Sequence, residues 1–389
     1  VGGPLHVSDL RSPNPVGRAF IAAAAETGLP INADFNGAEQ EGVGPYQVTQ
    51  VDGARCSTAR GYLTPHRNRS NLSVQTDVSV TRILFEGRRA IGVEVRIGGE
   101  SRRLLATREV ILAAGALQSP QLLMLSGIGP GADLQRLGLP VVLDAVGVGA
   151  NLHDHIDYVT GYTSRSTELI GVSPIGAWHL WQGWREYRRS RRGVLTTNFA
   201  EVGGFIRSRP TEGLADLQLF FVVAMVDDHA RKMHWGHGFS CHVCVLRPKS
   251  RGRLSLSSPD PFAPPVIDPN FLGERDDLDR LIRGFKLVRG ILQAPSLAPY
   301  RGRELYTAGI ESDADIEQAI RARADTVYHP VGTCRMGTDD AAVVDPALRV
   351  RGVSGLRVAD CSIMPTIIGG NTNAPAVMIG EKAADLIRA

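Results

Sequence analysis

The chain has 389 residues, of which 43% are apolar and 21% charged, a composition typical of a globular protein with two or three domains. Its 43 basic and 40 acidic side chains nearly balance, so charge argues against a nucleic-acid partner. The sequence contains no run of 18 apolar residues, so it predicts no membrane-spanning helix. Five irregularly spaced cysteines do not suggest a disulfide framework, and we expect a reducing, cytoplasmic setting.

A helix and a group of strands are the first predicted elements. Val16, Phe20 and Ala24 recur at helical spacing, which predicts a helix over residues 15–28. Short alternating segments between residues 72 and 97, separated by glycine turns, predict antiparallel strands.

A strand, a glycine and a helix follow in that order. The apolar run at residues 109–114 predicts a buried parallel strand that ends at Gly115. Ser119 followed by Pro120 has the form of a helix start, with Ser119 as the N-cap. This sequence of elements is typical of a nucleotide-binding turn.

Residues 156–328 lack a regular alternation of strand and helix, which favours an antiparallel sheet with helices. We predict strands at residues 217–224, 239–246 and 252–256, a helix at 276–292, and beyond this region a strand at 356–360 and a helix at 374–387. The predicted organisation is α/β plus α+β, with boundaries at 1–155, 156–328 and 329–389. The first and last segments form one domain, into which the middle one is inserted.

Residues 115–129 resemble a signature of the glucose–methanol–choline (GMC) oxidoreductase family, and every fixed position of that signature is filled. Further segments resemble family landmarks in family order: residues 34–37, 71–74, 147–155, 328–333, 358–365 and 371–375. The resemblance implies a Rossmann-type FAD-binding domain, an inserted substrate domain and oxidation of an alcohol.

The resemblance also implies which residues lie beside FAD. By position in the family motifs, Val80 faces the adenine, and Ala114 and Gly115 lie at the adenosine end. Ala359 and Asp360 are near the pyrophosphate and ribitol. Asn373 and Pro375 are beside the flavin ring.

His329 and Asn371 match the two catalytic positions of the family. Histidine suits general-base chemistry because its ordinary pKa lies near neutrality. The implied mechanism has His329 take the hydroxyl proton and Asn371 orient the oxygen, while hydride passes from carbon to flavin N5. Residues 224–238 and 246–253 resemble the alcohol and choline dehydrogenase branch, and within it bacterial dehydrogenases of primary aliphatic alcohols that use a non-oxygen acceptor such as a quinone.

The sequence lacks a GxGxxG turn, and it begins with Val. Residues 2–4 resemble a landmark that lies well after that turn in the family. We therefore expect an N-terminally truncated, incomplete FAD-binding domain, and we expect the chain as given to bind FAD poorly. Choline dehydrogenase, an alcohol oxidase that uses O₂, and a flavin-free non-catalytic remnant stay open as alternatives.

No metal site is expected. Cys241 and Cys244 lie three residues apart in a predicted strand, so their thiols should point to opposite faces. The run from His153 to His155 matches a family landmark without a known metal role. Three further histidines fall in a predicted polar loop, where surface positions are favoured over the substrate entrance: His229, His234 and His237.

One segment combines aromatic and basic residues. Three of the four tryptophans recur every third residue, followed by five arginines: Trp178, Trp181, Trp184, Arg185, Arg188, Arg189, Arg191 and Arg192. We favour a helix that packs its aromatics onto the substrate domain. The alternative is peripheral contact with an anionic membrane surface, such as the inner membrane.

Overall fold

The structure is a computed structural model that describes residues 2–228 and 231–388. The helices are α1 (Pro15–Glu26), α2 (Gly115–Leu125), α3 (Gly131–Arg136), α4 (Pro174–Ser190), α5 (Arg275–Gln293), α6 (Asp313–Arg323) and α7 (Asn373–Arg388). The strands are β1 (Gly42–Pro45), β2 (Gln50–Val51), β3 (Ala54–Arg55), β4 (Val78–Glu86), β5 (Arg89–Ile97), β6 (Glu100–Leu105), β7 (Val110–Leu112), β8 (Ile128–Gly129), β9 (Leu143–Asp144), β10 (Ile156–Ser164), β11 (Gly171–Val172), β12 (Val202–Ile206), β13 (Leu217–Val222), β14 (Gly236–Val245), β15 (Arg253–Ser255), β16 (Val266–Asp268), β17 (Glu304–Leu305), β18 (Asp325–Thr326) and β19 (Leu356–Val358).

The chain divides into two compact units. The first unit comprises residues 1–72, 156–246 and 275–325, and the second comprises residues 73–155, 247–274 and 326–389. This division differs from the predicted boundaries, which place residues 1–72 with the FAD-binding part. Residues 1–72 belong to the first unit because strand β1 forms an antiparallel pair with β12, with Gly42 opposite Phe205.

An antiparallel sheet with helices forms the first unit, as the sequence predicts. Its strands run in the order β1, β12, β13, β14, β10 and β17. Helices α1 and α5 supply apolar side chains to its core: Phe20 stacks on Phe221 with ring centroids 4.5 Å apart, and Phe285 packs edge-on against Tyr158. Burial of such large rings is a major source of stability for a sheet covered by helices.

The second unit contains an antiparallel meander and a parallel pair. Strands β4, β5 and β6 form the meander, as predicted, whereas residues 72–74 are not a strand. Strand β7 pairs in parallel with β19, with Leu112 opposite Val358. Both residues are buried in a core that also includes Leu123 of α2 and Ile379 of α7.

Helix α2 begins earlier than the sequence predicts. It starts at Gly115, so Pro120 lies inside the helix and Ser119 is not its N-cap. A left-handed backbone at Gly115 (φ +85°) lets the chain turn directly from β7 into the helix, which the Ser-Pro pair does not reveal. The predicted helices at α1, α5 and α7 are confirmed within a few residues.

Candidate active site

Four of the predicted cofactor residues lie at one edge of the parallel pair. Ala114 and Gly115 follow β7, and Ala359 and Asp360 follow β19. The carboxyl ends of adjacent parallel strands meet at the same sheet edge, which is where α/β folds bind ligands. The backbone N–H of Ala359 donates to the carbonyl of Leu112 at 2.8 Å, which ties the two turns together.

The Asp360 carboxylate holds this edge in place. Its Oδ2 accepts hydrogen bonds from the Gly115 N–H at 2.9 Å and the Ser119 hydroxyl at 2.5 Å. Its Oδ1 accepts from the Ser362 N–H at 2.8 Å. An acidic group at the start of a helix is stabilised by the helix dipole and by the unpaired N–H groups there. Ser119 is therefore a buried residue that hydrogen-bonds to Asp360, whereas the sequence predicted it to be the N-cap of the helix.

A cleft of about 500 Å³ adjoins this edge within the second unit. It is lined by Val80, by Ala114 and by Phe262, among others. Val80 is exposed, and the space that a Cβ on Gly115 would occupy is open. An open cleft lined by apolar groups and strand-end backbone has the chemistry that an adenine nucleotide requires, so these residues fit that part of FAD.

Two further cofactor residues begin α7. Asn373 and Pro375 lie in its first turn, and both keep part of their surface accessible. The helix contacts the short 3₁₀ turn Cys361–Ile363, which follows Asp360 directly. All seven predicted FAD positions therefore belong to the second unit.

His329 is buried and firmly held. Its backbone N–H donates to Asp154 Oδ1 at 2.9 Å, and Asp154 Oδ2 accepts from the Thr326 hydroxyl. The same hydroxyl accepts from the N–H of Tyr328 at 2.8 Å, a residue with left-handed backbone (φ +66°). The Asp154 carboxylate thus fixes the turn that presents His329.

The ring of His155 contacts the ring of His329. Their Nδ1 atoms are 2.9 Å apart, and His155 Nε2 lies 3.1 Å from the carbonyl oxygen of Ile368. A carbonyl only accepts hydrogen bonds, so His155 Nε2 carries its proton and neutral His155 has a bare Nδ1. His329 therefore donates from Nδ1, and in its neutral form Nε2 is the unprotonated nitrogen that carries the lone pair.

Asn371 lies beside that lone pair. Its Nδ2 is 3.4 Å from His329 Nε2, and Asn371 itself is exposed. The structure thus brings the two predicted catalytic residues together. A basic nitrogen next to an amide that can donate or accept can bind a hydroxyl group and accept its proton.

Sequence reasoning missed two residues of this arrangement. Asp154 and His155 were placed in a family landmark and weighed as metal ligands but given no role at the site, although one holds the backbone of His329 and the other contacts its ring. The signal was their position inside a family landmark, next to each other and without a metal partner.

The other candidate ligands have structural roles. Cys241 and Cys244 are both buried in β14 and free of disulfides. His153 accepts from the Ile367 N–H and contacts Asn151, and burial, with the nearby charge of Arg251, lowers its pKa to about 4. Among residues 2–228 and 231–388, no group of histidine, cysteine and carboxylate side chains could hold a metal ion.

The three loop histidines differ from one another. His237 is buried, not at the surface as expected: its ring bridges the carbonyl of Leu169 and the hydroxyl of Ser173. His234 pairs with the buried carboxylate of Asp227 at 2.9 Å. His229 lies outside the described residues.

The tryptophans of α4 do not pack onto their unit, so that expectation is wrong. Trp178, Trp181 and Trp184 keep 54%, 45% and 51% of their surface exposed. The helix instead buries Gly176 and Gly183. Close backbone contact at these glycines leaves the large side chains facing outward.

The fold and the site define a flavin-dependent oxidoreductase class, and comparison with known proteins gives the family. A GMC oxidoreductase N-terminal model matches residues 1–157, and a C-terminal model matches residues 248–380. The chain belongs to the GMC oxidoreductase family, whose members act on CH–OH groups and depend on FAD.

Individual relatives cover nearly the whole chain. It is 46% identical over 392 residues to an alcohol dehydrogenase [acceptor] of Pseudomonas putida, matching 99% of this chain and 70% of that protein. It is 43% identical to the mitochondrial choline dehydrogenase of Homo sapiens, matching 99% of this chain and 65% of that protein. A formate oxidase of Aspergillus oryzae, solved in a study of FAD modification, superimposes with a TM-score of 0.90 at 26% identity, over 100% of this chain and 73% of that one.

The chain spans 65 to 73% of the length of the curated relatives it matches. Every helix within residues 2–228 and 231–388 is too short or too polar to cross a lipid bilayer.

Proposed function

We propose that this protein oxidises a primary, aliphatic alcohol to the aldehyde, with FAD as its cofactor and with His329 as the general base. The observation that carries the proposal is the pairing of His329 with Asn371, in which His329 Nε2 lies 3.4 Å from the amide nitrogen of Asn371. The relatives named alcohol dehydrogenase and choline dehydrogenase support an alcohol as the substrate class.

Each residue of the proposed active site has its own role in the reaction. His329 Nε2 accepts the proton of the substrate hydroxyl, and His155 keeps His329 in the tautomer that leaves this nitrogen bare. Asn371 binds the substrate oxygen, and its neutral amide does not compete for the proton. Asp154 fixes the backbone of His329, so the ring loses little freedom when substrate binds.

The proposed cofactor residues are those of the sheet edge and its cleft. Val80 would face the adenine, and Ala114 with Gly115 would lie at the adenosine end beside the cleft. Ala359 with Asp360 would lie near the pyrophosphate and ribitol, and Asn373 with Pro375 beside the flavin ring. When bound, FAD supplies the acceptor for the hydride that leaves the alcohol carbon.

We further propose that a quinone or another non-oxygen acceptor receives the electrons. The name of the Pseudomonas putida relative supports this choice over O₂. A reducing cytoplasmic location is supported by the five cysteines, none of which forms a disulfide. Choline is the second candidate substrate, favoured by the 43% identity to the human choline dehydrogenase.

Absorbance spectroscopy tests the proposal. The purified chain is incubated with FAD, desalted and scanned beside the same chain extended at its N-terminus by the preceding segment of the Pseudomonas putida relative. We expect the extended protein to stay yellow and to be bleached by a primary alcohol without oxygen. Comparison of alcohols with choline, and peroxide measurement without an added acceptor, separate the three enzymatic alternatives.

The outcomes are distinct. If the short chain holds flavin and is bleached by alcohol, the expectation of poor FAD binding is wrong and the proposed activity stands. If both proteins hold flavin and neither is bleached by alcohol or choline, the proposed reaction is wrong. If neither binds flavin, the chain is a non-catalytic remnant.

A further inference from the structure

Helix α4 carries a surface that the proposed reaction does not use. At 100° per residue, six large side chains point away from Gly176 and Gly183, five of them to the opposite side of the helix and Trp184 to the flank. We call this surface the tryptophan–arginine face: Trp178, Trp181, Trp184, Arg185, Arg188 and Arg189. All six residues are exposed.

The two glycines explain why this surface points outward. A Cβ on Gly176 would clash with the carbonyl oxygen of Gly171, and one on Gly183 would clash with Val194. These two close contacts, seven residues apart, set which side of the helix faces the unit. The six large residues of the tryptophan–arginine face lie on the other sides of the helix.

The start of the helix is also fixed. The Ser173 hydroxyl accepts from the Gly176 N–H at 2.9 Å and lies 2.8 Å from His237 Nε2. His237 Nδ1 is 2.7 Å from the carbonyl of Leu169, so it donates there and leaves Nε2 to accept from Ser173. This chain of hydrogen bonds joins the N-cap to strand β14 and holds the tryptophan–arginine face in one orientation.

Exposure of the tryptophans is unusual for this residue type. All four tryptophans of the chain are at least 45% exposed, with Trp235 at 76%. Trp235 pairs with Val172, just before the N-cap of α4. Tryptophan is largely buried in most proteins, and its amphipathic ring is enriched where protein meets the headgroup layer of a membrane.

The charge of the same helix defines the partner. Five arginines and one glutamate lie between residues 185 and 192, and within the described parts of the chain none of these arginines forms an ion pair. Three stack on aromatic rings instead: Arg185 on Trp181, Arg188 on Trp184 and Arg191 on Tyr187, at 4.9 to 5.6 Å. Their guanidinium groups remain available to anions, and phosphate is a preferred partner of guanidinium.

We infer that the tryptophan–arginine face binds the surface of an anionic lipid bilayer, with the indole rings at the headgroup level and the arginines on lipid phosphates. Aromatic and basic side chains on one exposed helix face fit a headgroup layer, in which apolar and anionic groups lie side by side. The inference goes beyond the proposed reaction and does not require FAD. It would place the enzyme where a membrane quinone is available.

Vesicle co-sedimentation of the full chain tests the inference. The probes are phosphatidylcholine vesicles with and without phosphatidylglycerol. We expect sedimentation with the anionic vesicles only, weakened by salt, and a blue shift of tryptophan emission on binding. The double variant Arg188→Glu/Arg189→Glu should bind at least about tenfold more weakly, since each basic residue near an anionic surface contributes about fivefold.

Matched variants distinguish binding through the tryptophan–arginine face from binding through positive charge anywhere on the surface. Arg102→Glu/Arg103→Glu reverses two exposed arginines on β6 and should bind as the unchanged chain does. Trp178→Ala/Trp181→Ala keeps the charge and should also weaken binding. Thermal unfolding of each variant checks that it is folded.

Three results would overturn the inference. The first is an unchanged chain that stays in the supernatant with anionic vesicles. The second is equal loss of binding in the α4 and β6 arginine variants. The third is a concentration-dependent dimer that the tryptophan variant abolishes while no vesicle binding occurs, which would make the face a contact between two copies.

Discussion

The imidazole rings of His155 and His329 meet through their Nδ1 atoms at 2.9 Å, with ring planes at 90°. The carbonyl of Ile368 determines the direction of this hydrogen bond, because it can only accept a proton from His155 Nε2. A backbone group thus determines, through one intervening ring, which nitrogen of His329 is basic. His155 is therefore a positioning residue in the proposed mechanism.

Replacement of His155 tests that relationship in FAD-loaded protein. His155→Leu removes the acceptor for the His329 Nδ1 proton, so we expect the rate of flavin reduction by alcohol to fall at least about tenfold and its pH profile to change. His155→Asn offers a carbonyl oxygen near the same position and should restore part of the rate. If His155→Leu changes only thermal stability and leaves the pH profile as it was, the positioning role is wrong.

His329 and Asn371 should have separable effects. His329→Ala removes the proposed base, and we expect the rate of flavin reduction to fall by about 10² to 10⁴. Asn371→Ala removes an orienting amide and should have a smaller effect, of about 10-fold to 100-fold. Stopped-flow absorbance under anaerobic conditions measures both rates. The exposed His66→Ala serves as a control, and equal rates for all three variants would refute the assignment.

His153 should make stability depend on pH. Burial and the charge of Arg251 lower its pKa from 6.5 to about 4, so the unfolded chain binds a proton that the folded chain does not. Well above pH 6.5 the group has no effect. As the pH falls below 6.5 towards 4, the free energy of unfolding should decrease by up to about 3 kcal/mol.

Urea unfolding at a series of pH values measures this effect. His153→Gln keeps an acceptor and a donor but does not titrate, so its free energy of unfolding should fall less between pH 6.5 and 4. An identical slope in both proteins would show that other groups cause the dependence.

The cysteines should be largely unreactive in the folded protein. Four are buried and Cys361 is half-buried, and burial raises the pKa of the Cys241 and Cys334 thiols well above the usual value. A thiol reagent that requires the thiolate should therefore label at most one cysteine quickly, and all five in denaturant. Rapid labelling of both Cys241 and Cys244 in native protein would contradict their burial in β14.

Family and fold class could be predicted from the sequence, and so could the proximity of His329 and Asn371, the proposed catalytic pair. His329 and Asn371 each lie in a short motif, and such a motif can be recognised in a sequence because its residues are neighbours in the chain. Strands such as β4 and β5 were also predictable, since their apolar and polar residues alternate locally. The same local logic failed at Ser119, where the pattern of an N-cap concealed a buried contact with Asp360, which is distant in the sequence.

Only the tertiary structure decided how distant segments combine. The contact of His155 with His329 joins residues 174 positions apart, and the pairing of β1 with β12 moves residues 1–72 into the first unit. The outward direction of the α4 tryptophans likewise depends on the close contacts that Gly176 and Gly183 make with other segments of their unit. A sequence pattern records which residues share a helix face or a strand face. Which face is buried, and which nitrogen of a histidine keeps its proton, depends on neighbours that folding supplies.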